Sequence, residues 1–461
     1  MKSFLALLII PTLTYAELKI GVASHDITPK PGIPLAGYYS ERGATGAHDP
    51  LRAKVIVLES GGTKAALVAL DMIGTIRPTV EEARKLIEAE TDIPGENVMI
   101  NATHSHTGPI FASSRRYDAM GGQLQLAREY TEQLPKLIAR AVQDANSKLA
   151  PARAAFGTVQ VEGLAFNRRF HMRDGSVGWN PGKLNPNIIQ PAGPIDPEVQ
   201  VVYFERQNQP LATYVNFAMH LDTVGGTEFS ADYPFTLSEC LTRAKHPDMV
   251  TLFTIGCAGD TNHINVKQKA PQNGHDEAAR IGTILAAGVL RAYEQLATNL
   301  ASTELHVSTE MVKLPLPEIS EEELNTARKI AEQVKEKTQP TPRFMEQVKA
   351  FQVLDVIERK GKPFEVEVQV IALGRDIAWV SLPGEIFVEL GLSIKAGSPF
   401  RQTIVATLAN GAIGYIPTRR AYSEGNYEVV SARCAEGSGE LLVESALRQL
   451  RKIFAGAEQP L

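Results

Sequence analysis

Cysteine is scarce: Cys240, Cys257 and Cys434 are the only three in 461 residues, and no Cys-x-x-Cys occurs. That excludes a disulfide scaffold and a thiolate zinc cluster. All three read as small buried hydrophobes, with at most one internal bridge. A His-Glu-x-x-His helix is also missing, which disfavours a zinc peptidase. No basic run dominates, and a net charge of −5 gives no footprint for nucleic acid. Beyond the N-terminus no apolar run is long enough to cross a bilayer, for which roughly 20 residues are needed. Internal repeats and low-complexity tracts are absent too. What remains is 44% hydrophobic and 21% charged, the balance of an ordinary globular enzyme or binding protein.

The N-terminus differs from the rest. Lys2 precedes the apolar run Phe4-Leu-Ala-Leu-Leu-Ile-Ile10, and Leu13-Thr-Tyr-Ala16 ends it on a small residue. These are the parts of a secretory signal peptide, so residues 1–16 are expected to be removed and the chain exported, to the periplasm or outside the cell.

Strand-like runs recur at 18–23, 54–58, 65–70, 98–102, 199–204, 213–219, 250–255, 366–371, 377–382 and 404–408. Helical patterns lie between them at 79–89, 124–148, 276–296, 321–337 and 440–454. In the second of these, Leu126, Tyr130, Leu134, Leu137, Ile138, Ala141 and Val142 form a stripe at helical spacing. Because strands and helices mix throughout, residues 17–461 are expected to form one large mixed α/β domain, with sheets flanked by helices. Two stretches break the pattern. Residues 172–198, rich in Gly, Asn and Pro, read as a long binding loop. Residues 320–362 read as a solvated helical insertion interrupted by Gln339-Pro-Thr-Pro342.

Five segments carry polar groups at expected strand ends, where α/β folds assemble sites. The first is Asn101-Ala-Thr-His104-Ser-His106-Thr-Gly-Pro109. Side chains two apart on a strand share a face, so both imidazoles are expected to look into one place. The others are Val215-Asn-Phe-Ala-Met-His220, Gly256-Cys-Ala-Gly-Asp260-Thr-Asn262-His263, Leu382-Pro-Gly-Glu385, and Gly414-Tyr415-Ile-Pro-Thr418 with Tyr422 and Tyr427. Singly, each has a bland reading as a capped or solvated turn. Together, two His, a Glu and a phenol make a nitrogen and oxygen donor set suited to zinc.

Here the sequence resembles the neutral ceramidase family, secreted zinc amidases that cleave N-acylsphingosines. The likeness runs in order from about Gly21 to about Tyr427, beginning with Gly21-Val-Ala-Ser-His-Asp-Ile-Thr-Pro29. It implies a single Zn²⁺ held by His104, His220, Glu385 and Tyr415. It implies His106 as the neighbouring active-site His, Arg168 of Asn167-Arg168 at the active site, and Tyr427 as an active-site phenol. Two departures stand out. Asn262 occupies the position of the family's active-site serine, with Thr261 and His263 beside it. The family's C-terminal β-sandwich has no counterpart before the sequence ends, so a diverged member without that domain is expected.

The chemistry implied is amide hydrolysis by zinc-activated water. His106 would shuttle the proton, Tyr427 and Arg168 would stabilise the oxyanion, and Asp232 and Asp260 are candidates to orient a ligating His. The expected partner is a small-molecule or lipid amide, with transient contact at a membrane surface. Alternatives are a zinc hydrolase of another N-acyl amide or ester, and an exported metal-binding protein without catalysis.

Overall fold

The computed structural model describes residues 17–39, 42–111 and 124–456; the expected signal segment, 1–16, lies outside them. Three sheets carry the architecture. The first has five strands in the order Val98–Ala102, Thr63–Leu70, Arg52–Ser60, Lys19–Asp26, Ala150–Pro151. The second runs Val250–Ile255, Gln209–Phe217, Glu198–Arg206, Arg153–Gln160. The third runs Leu305–Leu314, Phe364–Leu373, Ile377–Ser381, Gln402–Ala406.

One plan is used three times. Each sheet is antiparallel except for a single parallel pair, at one edge, joined through a helix. The crossover helices are Arg77–Glu90, Tyr233–Ala244 and Val388–Gly397. A parallel pair requires such a crossover, and its strands release their C-terminal ends into a common crevice. No sequence repeat accompanies this repetition of form.

The sheets meet in one core. Ile20 and Leu58 from the first, Phe204 and Tyr214 from the second, and Ile371 and Trp379 from the third belong to a single buried cluster. Helices cover the outer faces. Leu124–Ser147 turns Ala127, Tyr130, Leu134, Ile138, Ala141 and Ala145 inward at 3–4 spacing. This helix lies so close to the first sheet that a Cβ on Gly21 would collide with the Ala145 carbonyl. The fold is therefore the mixed α/β class expected from the sequence. Among the described residues no helix is long and apolar enough to cross a membrane.

Two expectations need correction. Residues 172–198 are not a featureless loop: Val177–Trp179 and Ile188–Pro191 flank Arg169–Met172 in a three-stranded antiparallel sheet. Strands this short are too brief to show an alternating pattern. Residues 320–362 contain two helices of different character. Glu321–Glu336, opened by a Ser320/Glu323 capping box, buries only Ala327. Phe344–Glu358 buries Val348, Ala350, Phe351, Gln352, Val353 and Val356. Only the first of them is a solvated helix.

Candidate metal centre and active site

Strand Val98–Ala102 is buried along its whole length and ends two residues before His104. The chain then turns sharply: His104 has φ 80, in the left-handed region that non-glycine residues rarely occupy. The His104 and Ser105 amides both donate to the Met72 carbonyl, and Ser105 Oγ donates to the Ser230 carbonyl at 2.6 Å. The two imidazoles do converge, with their Nε2 atoms 3.3 Å apart. They do so through this strained turn, not through strand alternation. Strain of this kind persists only where surrounding bonds over-determine it.

His220 follows strand Gln209–Phe217, and Glu385 opens the two-residue strand Glu385–Ile386, paired in parallel with Tyr415–Ile416. Glu385 Oε2 lies 3.3 Å from His104 Nε2 and 3.3 Å from His220 Nε2. His104 Nδ1 is 2.7 Å from the Ile73 carbonyl, and His220 Nδ1 is 2.8 Å from the Ala258 carbonyl. A carbonyl only accepts, so each Nδ1 carries the proton and each Nε2 turns a lone pair inward. Glu385 Oε2 is buried without a hydrogen-bond partner. Two imidazole nitrogens and a carboxylate oxygen facing one another form an electron-rich hole suited to a cation. The donor set fits a divalent metal.

Tyr415 stands beside this hole, its phenolic oxygen 3.0 Å from Arg168 Nη2. Burial pushes the phenol well above its ordinary pKa, Glu385 adds to the rise, and Arg168 opposes it. Arg168 is itself fully engaged. It donates to Glu428 Oε1 at 2.8 Å and the Gly259 carbonyl at 2.8 Å, and its Nη1 lies 3.3 Å from His220 Nε2. Glu428, 0% exposed, also takes a bond from Arg169 at 3.0 Å. The guanidinium therefore buttresses Tyr415 and His220 rather than reaching into open space for an oxyanion.

His106 lines the cavity, and burial, reinforced by His104, pushes its pKa down to about 3, so the ring is neutral. Tyr427 lines the same cavity, its ring 5.5 Å from Tyr415 and stacked 4.3 Å from Trp179. The cavity has a volume of about 700 Å³ and runs from His104, His106 and Glu385 past apolar walls that include Ile110, Phe111, Val348 and Phe351. Its far side is polar, with an Arg433–Asp355 ion pair at 2.7 Å.

Three expected residues sit elsewhere. Asn262 pairs in a short strand with Phe166, donates to Asn180 at 3.2 Å and accepts from the Ile264 amide at 3.0 Å. Both ends of its amide are thus occupied by turn chemistry. Asp260 accepts from Val388 N and Asn167 Nδ2, both at 2.9 Å, and orients no histidine. Asp232 caps helix Tyr233–Ala244 and also accepts from the Thr223 and Val224 amides. Main-chain carbonyls, which leave no mark in a sequence, perform the orienting task foreseen for these aspartates.

Sequence reasoning missed Glu428 and the Asp222–His263 pair. His263 Nδ1 lies 3.1 Å from Asp222 Oδ1 and its Nε2 is 2.6 Å from the Gln272 carbonyl. Burial opposes protonation of this ring, but the hydrogen bond and charge of Asp222 outweigh it and raise its pKa above the ordinary value. Burial would lift the Asp222 carboxyl, but the hydrogen bond and charge of His263 hold it well below the usual range.

Comparison with known proteins finds similarity in sequence and in fold. Residues 18–228 match the family described as neutral/alkaline non-lysosomal ceramidase, N-terminal. The neutral ceramidase of Pseudomonas aeruginosa is 26% identical over 213 residues, 44% of this chain; that stretch spans 30% of the relative's length. A crystal structure of neutral ceramidase from Pseudomonas aeruginosa shares the fold at a TM-score of 0.71 and 20% identity, covering 95% of this chain and 75% of the other. A structure described as ceramidase complexed with C2 does so at 0.70 and 17%, covering 95% and 76%.

Proposed function

We propose that this chain, a diverged member of the neutral ceramidase family, is a zinc-dependent hydrolase that cleaves the amide bond of a lipid such as an N-acylsphingosine. The observation that carries this reading is the position of Glu385 Oε2, buried and 3.3 Å from the unprotonated nitrogens of both His104 and His220. These three residues and Tyr415 would hold the ion. Zinc bound there supplies Lewis acidity, activating water near neutral pH and polarising a carbonyl.

The chain's own residues supply the rest. His106, its Nε2 3.3 Å from that of His104, relays a proton between the attacking water and the departing nitrogen. Tyr427 donates to the carbonyl oxygen as charge develops there. Arg168 is a positioning residue: its positive charge 3.0 Å from the Tyr415 oxygen opposes the pKa rise that burial imposes and favours the ionised phenol as a ligand. Ile110, Phe111, Val348 and Phe351 give an acyl chain an apolar bed. We assign residues 1–16 to export and 17–461 to one catalytic unit.

A second reading keeps the centre and changes the substrate to another N-acyl amide or an ester. It is favoured by Asn262, both ends of whose amide are already bonded, at the position of the family's serine. One experiment addresses both readings. The zinc-loaded chain is assayed on ceramide beside short N-acyl amines and esters, and Glu385→Ala is assayed in parallel. Glu385→Ala is expected to lose one equivalent of zinc and all turnover. Retention of both would sink the metal assignment, whereas turnover of the short substrates alone would select the second reading.

A further inference from the structure

Away from this centre, the surface carries a second group of nitrogen and carboxylate donors. His48, Glu228 and His275 each offer one ligand atom, and these atoms all lie within 4.8 Å of one another. They come from three separate segments. His48 follows the strand Gly46–Ala47, which pairs in parallel with Glu228–Phe229, and His275 begins helix His275–Ala292.

The group is held in place by the main chain. The His48 amide donates to the Phe229 carbonyl at 2.9 Å, and the Gly274 amide donates to the Thr223 carbonyl at 2.8 Å. The two imidazoles stack with centroids 3.6 Å apart and planes 28° from parallel. The stacking brings the two rings of separate segments to one spot on the surface beside the Glu228 carboxylate. Negative charge surrounds it. Buried Asp49, held by Ser230 Oγ at 2.6 Å and the Ala231 amide at 2.7 Å, acts on His275 electrostatically, as do Glu228 and Asp276.

We infer that His48, Glu228 and His275 form a second divalent transition-metal site, of zinc type, with water completing the coordination. Two imidazoles and one carboxylate suit zinc, and the nitrogen donors discriminate against magnesium and calcium, which take oxygen. The site would pin one rim of the catalytic region. The same segment carries Arg42, whose Nη2 donates to the Ala36 carbonyl at 2.7 Å and the His106 carbonyl at 3.0 Å. A metal at this rim therefore fastens the segment that supports His106. The inference stands apart from the catalytic reading, because none of its ligands is shared with the first centre.

The test is metal content of the untagged full chain after equilibration with micromolar free Zn²⁺ under excess Mg²⁺ and Ca²⁺, followed by thermal unfolding. Wild type is expected to hold two equivalents of zinc. His48→Ala and His275→Ala should each hold one and lose the rise in Tm that the second equivalent brings. Glu385→Ala should also hold one, the surface ion, which separates failure of either site from failure of the other. Zinc content that is the same in the histidine variants as in wild type, or a Glu385→Ala variant without zinc, overturns the site.

Discussion

His104 and His220 each commit Nδ1 to a main-chain carbonyl, which fixes the tautomer before any metal arrives. The residues themselves were legible because strand patterns ended on them; the bonds that orient them were not, since any residue supplies a carbonyl. Tyr427 shows the opposite balance. The resemblance to the family's tyrosine pattern marked it, and its ring lines the cavity beside Tyr415, whereas the Tyr422 oxygen turns away to the Cys434 carbonyl at 2.8 Å. Tyr427→Phe removes one hydrogen-bond donor and leaves the metal ligands untouched. Zinc content should stay at the wild-type level while kcat falls by about 10²–10³-fold, the usual effect of losing one oxyanion donor. Unchanged turnover by that variant in steady-state assays would remove Tyr427 from the chemistry. Glu428 and Asp222 were invisible for a plain reason: an acidic residue in a loop looks solvated until its arginine or histidine partner folds against it.

The buried strands Val98–Ala102 and Val250–Ile255 were legible to the residue, although each ends its sheet, because burial on both faces demands a largely apolar run. The edge strands Arg153–Gln160 and Leu305–Leu314 were missed, since half-exposed edges carry Lys, Glu, Gln and Thr that read as loop. Helix Phe344–Glu358 was legible as a helix but not as a wall. Its charged face hid an apolar one, and only tertiary packing sets Val348 and Phe351 against the cavity. That placement has a measurable consequence. Phe351→Ala should lower kcat/KM for a long-acyl substrate by about tenfold or more, the range set by lost contacts in an apolar pocket. An N-acetyl substrate, too short to reach Phe351, should be turned over as by wild type, with zinc content unchanged. Equal losses on both substrates would show that this helix does not line the acyl path.

At the scale of the whole molecule, three sheets built on one plan must be locked together, because His104, His220 and Glu385, the proposed ligands, each follow a strand of a different sheet. Part of the lock is a buried polar network between the first and third. Arg84, on the first crossover helix, donates to Glu367 Oε1 at 2.7 Å and Oε2 at 2.8 Å, and Arg77 donates to Oε2 at 2.6 Å. Asn410 Nδ2 donates to Glu367 Oε1 at 2.9 Å, and Asn410 Oδ1 accepts from the Ile100 amide at 2.9 Å. Ile100 belongs to the strand that leads into His104, so the network joins the third sheet to the root of the metal centre. Burial alone would raise the Glu367 pKa, but the bonds and charges of Arg84 and Arg77 outweigh it and hold the carboxyl below its usual 4.5. A carboxylate whose folded pKa is depressed contributes stability above its unfolded value and loses it as pH falls through the folded one. Glu367→Gln leaves Arg84 buried with no carboxylate and should lower unfolding stability at neutral pH by about 3–5 kcal/mol. Below pH 4.5 the gap between variant and wild type should narrow, because wild-type Glu367 then gains its own proton. Denaturant titrations at neutral pH and in acid measure both quantities. A gap that is small at neutral pH, or that widens in acid, would mean that the sheets are held by their shared apolar core and not by this ion pair.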